Sequence, residues 1–145
     1  MLKSIDDLLQ YNAFFGFERT FGKNNSSYYI ATGLGFGAVK ESKFIKGLLD
    51  IYSNKEHFDE ISCTMRETPY FLSKGVIYNN TDQFIDDNIK ILNSDALCPK
   101  AYKDDKINIT DKTYSIHFYT GSWKKLTTEL NETIWVNKTM TLLQV

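Results

Sequence analysis

Ala13-Phe14-Phe15-Gly16-Phe17 is an apolar run of strand length. A turn signal, Lys23-Asn24-Asn25-Ser26, separates it from Tyr28-Tyr29-Ile30-Ala31, an aromatic and β-branched segment that predicts a second strand. After the glycine-rich stretch Gly33-Leu34-Gly35-Phe36-Gly37-Ala38, residues Phe44, Ile45, Leu48, Leu49 and Tyr52 recur at helical spacing, which predicts an amphipathic helix from about residue 41. Strands and helices therefore alternate, and the fold class is α/β. Working outward, Ser4 can cap a short helix that carries Asp6 and Asp7 in its first turn and Leu8-Leu9 as its apolar face. Downstream, Met65 to Ser73 reads as helical with Pro69 in a first turn, and Thr81 to Asp87 as a short capped helix. Ile89-Lys90-Ile91-Leu92 reads as a strand, and Cys98-Pro99-Lys100 as a turn or extended link. Tyr114 to Tyr119 has strand composition and ends at Gly121. Leu126, Leu130 and Ile134 fall on one face of a terminal helix.

The chain has 145 residues, a formal net charge of −1, 42% hydrophobic and 14% aromatic residues. That length suits one domain, residues 1–145, with enough apolar surface to offset the entropy of ordering the chain. A near-neutral balance with dispersed basic residues excludes a nucleic-acid-coating protein. No apolar stretch approaches the length of a membrane span, and the acidic start does not read as a signal peptide, so a cytoplasmic location is expected. Cys63 and Cys98 are too few for a disulfide framework and lack metal-ligand spacing.

Several stretches hold chemistry-bearing residues. Gly33-x-Gly35-x-x-Ala38 fits a dinucleotide fingerprint, but its helix does not open inside the motif, and a turn needing glycine freedom is the plainer reading. His57 lies among acidic residues in a loop whose ligands are too close in sequence to converge on one ion. His117-Phe118-Tyr119-Thr120-Gly121-Ser122-Trp123 places a His, two hydroxyls, a glycine and a Trp after a strand-like run. Loops at strand ends are where α/β sheets bind ligands. Imidazole can ligate a divalent metal and an indole N–H can donate to a phosphate oxygen, while a structural His and an anchoring Trp remain the alternative.

Taken together, four segments resemble bacterial family 32 glycosyltransferases, the capsular-polysaccharide enzymes with a DXD sugar-binding region. Met1 to Leu9 followed by Ala13 to Glu18 resembles the stretch just after their Asp-x-Asp motif. Gly35-Phe36-Gly37-Ala38-Val39-Lys40 resembles their next strand-to-helix junction. Cys98-Pro99-Lys100, Lys106 to Thr110 and Thr113 to His117 resemble their late segment, and Gly121-Ser122-Trp123 their His-His-x-x-x-Ser-Trp ending.

The resemblance implies the carboxy-terminal portion of a GT-A fold, with a mixed sheet and flanking helices. It also implies a nucleotide-sugar donor, a polysaccharide or oligosaccharide acceptor, and a divalent metal, Mn²⁺ or Mg²⁺, in bacterial surface-polysaccharide synthesis at the inner face of the membrane. By the same carry-over His117 is the metal-side residue, and Ser122 and Trp123 contact the donor diphosphate. Gly33, Gly35 and Gly37 line the sugar pocket, and Glu67 and Thr68 contact acceptor or donor. The chain departs from the pattern twice: no Asp-x-Asp occurs in it, and Phe118 stands where the family has its second His. The expectation is therefore a transferase portion inactive by itself, with a separately encoded amino-terminal half as an implied partner. The alternatives are a non-catalytic remnant or a carbohydrate- or protein-binding partner of a complete transferase, and a nicotinamide-dependent oxidoreductase built on Gly33-x-Gly35.

Overall fold

A computed structural model describes residues 2–20, 27–30, 32–53, 61–101 and 106–120. The apolar run at residues 13–17 forms the centre of a mixed sheet. Strand β1, Ala13–Thr20, pairs antiparallel with β2, Ser27–Ile30, and with the short β3, Gly37–Ala38, on one side. On its other side it pairs in parallel with β5, Ile89–Leu92, which pairs antiparallel with β4, Gln83–Ile85. The order is β2-β1-β5-β4, with β3 alongside the start of β1. The chain is thus α/β with a mixed sheet, as its alternating pattern implies.

β1 is apolar on both faces because both are covered. Ala13, Phe15 and Phe17 point into a core shared with Ile30, Ile89, Ile91 and the helices α1, Lys43–Ser53, and α2, Cys63–Ser73. Phe15 meets Phe71 edge-on at 4.9 Å between ring centroids and Phe44 at 5.3 Å. Phe14 points the other way, into a core with Leu8, Leu92, Tyr114 and the Ala96 and Leu97 of the short helix α3, Ser94–Leu97.

Several local expectations are corrected by tertiary context. The capped amino-terminal segment is a single 3₁₀ turn, Asp6–Leu8, with the Asp6 amide donating to Ser4 Oγ at 3.2 Å; Leu8 is buried but Leu9 is exposed. Pro69 sits inside α2 rather than in its first turn. The helix starts earlier, at Cys63, where Ser62 Oγ accepts the Met65 amide, and Pro69 lies on its exposed side. Residues 81–87 are not helical. Asp87 and Asn88 hold positive φ of 62° and 55°, so the chain reverses there and residues 83–85 pair with β5. Residues 114–119 form no strand, and the backbone of their first residues is bonded elsewhere. The Tyr114 amide donates to the Ala96 carbonyl at the end of α3, and the Leu2 amide donates to the Tyr114 carbonyl at 2.7 Å. The turn signal at 23–26 and the terminal helix lie outside the described residues.

Candidate functional site

The parallel pair β1 and β5 fixes a direction for the sheet, and ligands of α/β sheets collect beyond the carboxyl ends of such strands. At that end Glu18 occupies β1 on the same side as Phe14, directly opposite Tyr29 of β2. Cross-strand partners share a face, so the carboxylate and the phenol project together. The Tyr29 ring meets Tyr78 at 6.2 Å in an edge-to-face arrangement. Tyr78 comes from the connection between α2 and β4, which is pinned beside the end of β5: Asn80 Oδ1 accepts the Ser94 amide at 2.7 Å and Asn80 Nδ2 donates to Ser94 Oγ at 3.0 Å.

The late segment closes the group. The Tyr119 phenol neighbours the Glu18 carboxyl, and its oxygen lies 2.9 Å from Cys98 Sγ, whose thiol sits 3.1 Å from the Lys100 carbonyl. Burial pushes the Glu18 carboxyl above its ordinary range, with the Tyr119 bond opposing part of the rise. Burial raises the Tyr119 phenol well above the usual range, reinforced by its Cys98 and Glu18 neighbours. Tyr119 adopts φ +55°, a left-handed backbone that costs an aromatic residue about 1–2 kcal/mol. Strain held at a polar cluster is a pointer toward function. His117 packs against the Tyr119 ring at 4.5 Å, and desolvation lowers its pKa, so its neutral, ligand-capable form predominates at neutral pH.

The residues singled out from sequence fall in three places. His117 is half-buried in this cluster, next to an exposed Phe118. Glu67 and Thr68 are buried on the other side of β2, where they join elements. Thr68 Oγ1 accepts the Ile30 amide at 3.1 Å and donates to the Thr64 carbonyl at 2.7 Å. The Glu67 carboxylate accepts from the Thr32 amide at 3.1 Å, the Thr32 hydroxyl at 3.0 Å and the Tyr52 hydroxyl at 2.7 Å. Gly33 lies in the 3₁₀ turn Thr32–Leu34 held by Glu67, close to Cys63. Gly35 holds φ +122° in open surroundings. Gly37 lies directly on the Phe14 ring, which a Cβ would overlap, and borders an open groove of about 540 Å³ that also includes Phe36, Val39, Ile45 and Leu49. Ser122, Trp123 and His57 lie outside the described residues. A smaller cavity of about 190 Å³, between Lys43, Lys74, Tyr70 and the turn at Asp86-Asp87, sits at the opposite, amino end of β5.

Glu18, Tyr29, Tyr78 and Tyr119 escape a reading by sequence motif. The available signal is a carboxylate at an inward-facing position that closes an apolar strand, since unpaired charge is expensive to bury there. For the implied metal, His117 offers one nitrogen and its neighbour Phe118 none. Among the described residues no three His, Cys, Asp or Glu side chains are grouped to hold an ion. By themselves, then, the described residues do not compose a Mn²⁺ or Mg²⁺ site.

No protein-family model, curated protein or solved structure matches the chain. Among the described residues, no helix is long and apolar enough to cross a membrane.

Proposed function

We propose that the chain is the carboxy-terminal portion of a sugar-nucleotide-dependent glycosyltransferase of GT-A type, which serves bacterial surface-polysaccharide synthesis. The observation that carries this reading is the bond from the Leu2 amide to the Tyr114 carbonyl. In the resembled family the first residues of this chain directly follow the Asp-x-Asp segment, and a late His shares the donor site with it. The bond joins residue 2 to Tyr114, three positions before His117 in sequence, and this meeting of the first and late segments supports the reading. Lys3 strengthens the join, with its ammonium 4.0 Å from the Tyr114 ring centroid and 3.2 Å from the Asp111 carbonyl oxygen.

In this reading Ser122 and Trp123, which follow His117 closely in sequence, contact the donor diphosphate, and the glycan acceptor enters at the same end of the sheet. The Mn²⁺ or Mg²⁺ of the resembled family would need ligands beyond those described. Alone, the chain is expected to bind a nucleoside diphosphate without transferring sugar.

Calorimetric titration of the purified chain with UDP and GDP, with and without Mn²⁺, tests the proposal. Binding that weakens about tenfold in Trp123→Ala, the size of one lost aromatic or charge-assisted contact, supports it. Absence of binding under both conditions overturns it. A carbohydrate-binding module without transfer chemistry is the second reading, favoured by the tyrosine and carboxylate cluster itself. Binding of a glycoside without any nucleoside diphosphate would select it.

A further inference from the structure

We infer that the cavity between α1, α2 and the β4–β5 turn is a binding site for a free α-amino acid with an apolar side chain. The site is independent of the transferase reading, because it lies at the amino end of β5, opposite the end that carries His117. Its volume is about 190 Å³. Pockets for drug-sized ligands run to roughly 300–1,000 Å³, so the occupant of this one is a smaller molecule.

Charge of both signs lines the cavity, sorted by element. Lys43 begins α1 and Lys74 caps the end of α2, whereas Asp86 and Asp87 belong to the turn. Lys43 also brings the partially positive amino end of α1 to its wall. Among the described residues, none of these four side chains is in an ion pair. A lone anion would meet two carboxylates, and a lone cation two ammonium groups. A zwitterion satisfies both signs, with its carboxylate toward the helices and its ammonium toward the turn.

The walls are braced from behind. The Tyr70 hydroxyl donates to the Phe44 carbonyl at 3.2 Å, and the Lys74 ammonium stands 5.2 Å from the Tyr70 ring centroid. Gly47 makes room for that hydroxyl, which a Cβ would overlap. On the other side the Asn12 amide donates to the Asn88 carbonyl at 3.0 Å, and Asn12 Nδ2 to the Asp87 carbonyl at 2.6 Å. Both walls are thus set before a ligand arrives, which lowers the entropy lost on binding. Phe44, Tyr70 and Ile85 supply apolar surface for the ligand's side chain.

Saturation-transfer NMR on the whole chain with leucine, methionine and phenylalanine tests the site. At least one should receive saturation. Its N-acetyl form, which lacks the ammonium, and its amide, which lacks the carboxylate, should each bind about tenfold more weakly, the size of one charge-assisted contact. The double variants Lys43→Gln with Lys74→Gln, and Asp86→Asn with Asp87→Asn, should each weaken the free amino acid by a similar factor. All four positions are exposed, and asparagine tolerates the positive φ of Asp87, so the variants change charge without disturbing the core. The aspartate variant should leave the N-acetyl form no weaker than before, which ties the ligand's ammonium to the turn. Lys46→Gln, on α1 but outside the cavity, should change nothing. No saturation of any of the three overturns the inference. So does binding that is indifferent to both double variants, or equal binding of the free, N-acetyl and amide forms.

Discussion

Tyr52 of α1 donates its hydroxyl to Glu67 of α2 across 2.7 Å, so a buried carboxylate joins the two helices beside the bond from the Tyr70 hydroxyl to the Phe44 carbonyl. Glu67 is 4% exposed and also holds both the amide and the hydroxyl of Thr32. Replacing it strands three donors. Glu67→Ala is expected to destabilise the fold by about 3 kcal/mol, measured as a lowered urea midpoint at unchanged slope. Tyr52→Phe, which removes one bond at a partly exposed site, should cost about 1 kcal/mol.

The Phe15 ring sits at the crossing of β1 with both long helices, in contact with Phe44 and Phe71. Phe15→Ala should cost about 3–5 kcal/mol by combined transfer and cavity terms. Phe84→Ala should cost under about 1 kcal/mol in the same unfolding assay, because that ring is 60% exposed.

Gly37 and Gly33 separate packing from openness. Gly37→Ala must displace the Phe14 ring and should destabilise by about 1–3 kcal/mol. A Cβ at Gly33 meets Cys63 Sγ at an ordinary 3.8 Å, so Gly33→Ala should change stability by less than about 1 kcal/mol. Thermal unfolding of the two variants side by side distinguishes the positions.

Glu18 supplies a pH dependence of known sign. Its carboxyl is raised in the folded state, so the folded chain holds that proton more tightly than the unfolded chain does. The group's stabilisation is complete below the unfolded value, near 4.5, and is lost as pH rises through the folded one. Glu18→Gln should therefore gain stability relative to the wild type between pH 4 and 7. Urea unfolding at both pH values would show the gain, and a constant difference would contradict the assignment.

The two thiols should behave differently. Cys98 is fully buried, while Cys63 is exposed at the start of α2. Burial of its sulfur and the nearby Glu67 carboxylate raise the Cys63 thiol above its usual range. In a colorimetric thiol assay of native protein only Cys63 should react, slowly at pH 7 and faster at higher pH. Cys98 should react at the rate of unfolding.

Elements whose periodicity is satisfied by near neighbours were legible in the sequence. Ala13 to Phe17, Tyr28 to Ile30, the helix carrying Phe44 and Leu48, and Ile89 to Leu92 read correctly, because a short apolar or β-branched run and helical spacing are local signals. Misread segments take their hydrogen bonds from distant chain. Gln83-Phe84-Ile85 looks like part of a capped helix until the positive φ of Asp87 and Asn88 turns it back onto β5. Tyr114 to Tyr119 has strand composition, yet the amides of Tyr114 and Ser115 both go to the Ala96 carbonyl. The site divides the same way. His117 stands out as chemistry-bearing, whereas Glu18 and Tyr119 meet only through the folded sheet, and no local spacing announces the pair.

The junction of Leu2 and Tyr114 also dictates when the molecule can be completed during synthesis. Residue 2 must remain unattached until residue 114 has cleared the ribosome, about 5–20 s later at ordinary elongation rates. Until then Leu8 and Phe14 lack the Tyr114 ring that covers them. The face carrying α3 is thus sealed only once Tyr114 arrives, and during that interval it offers apolar surface to chaperones or to neighbouring chains.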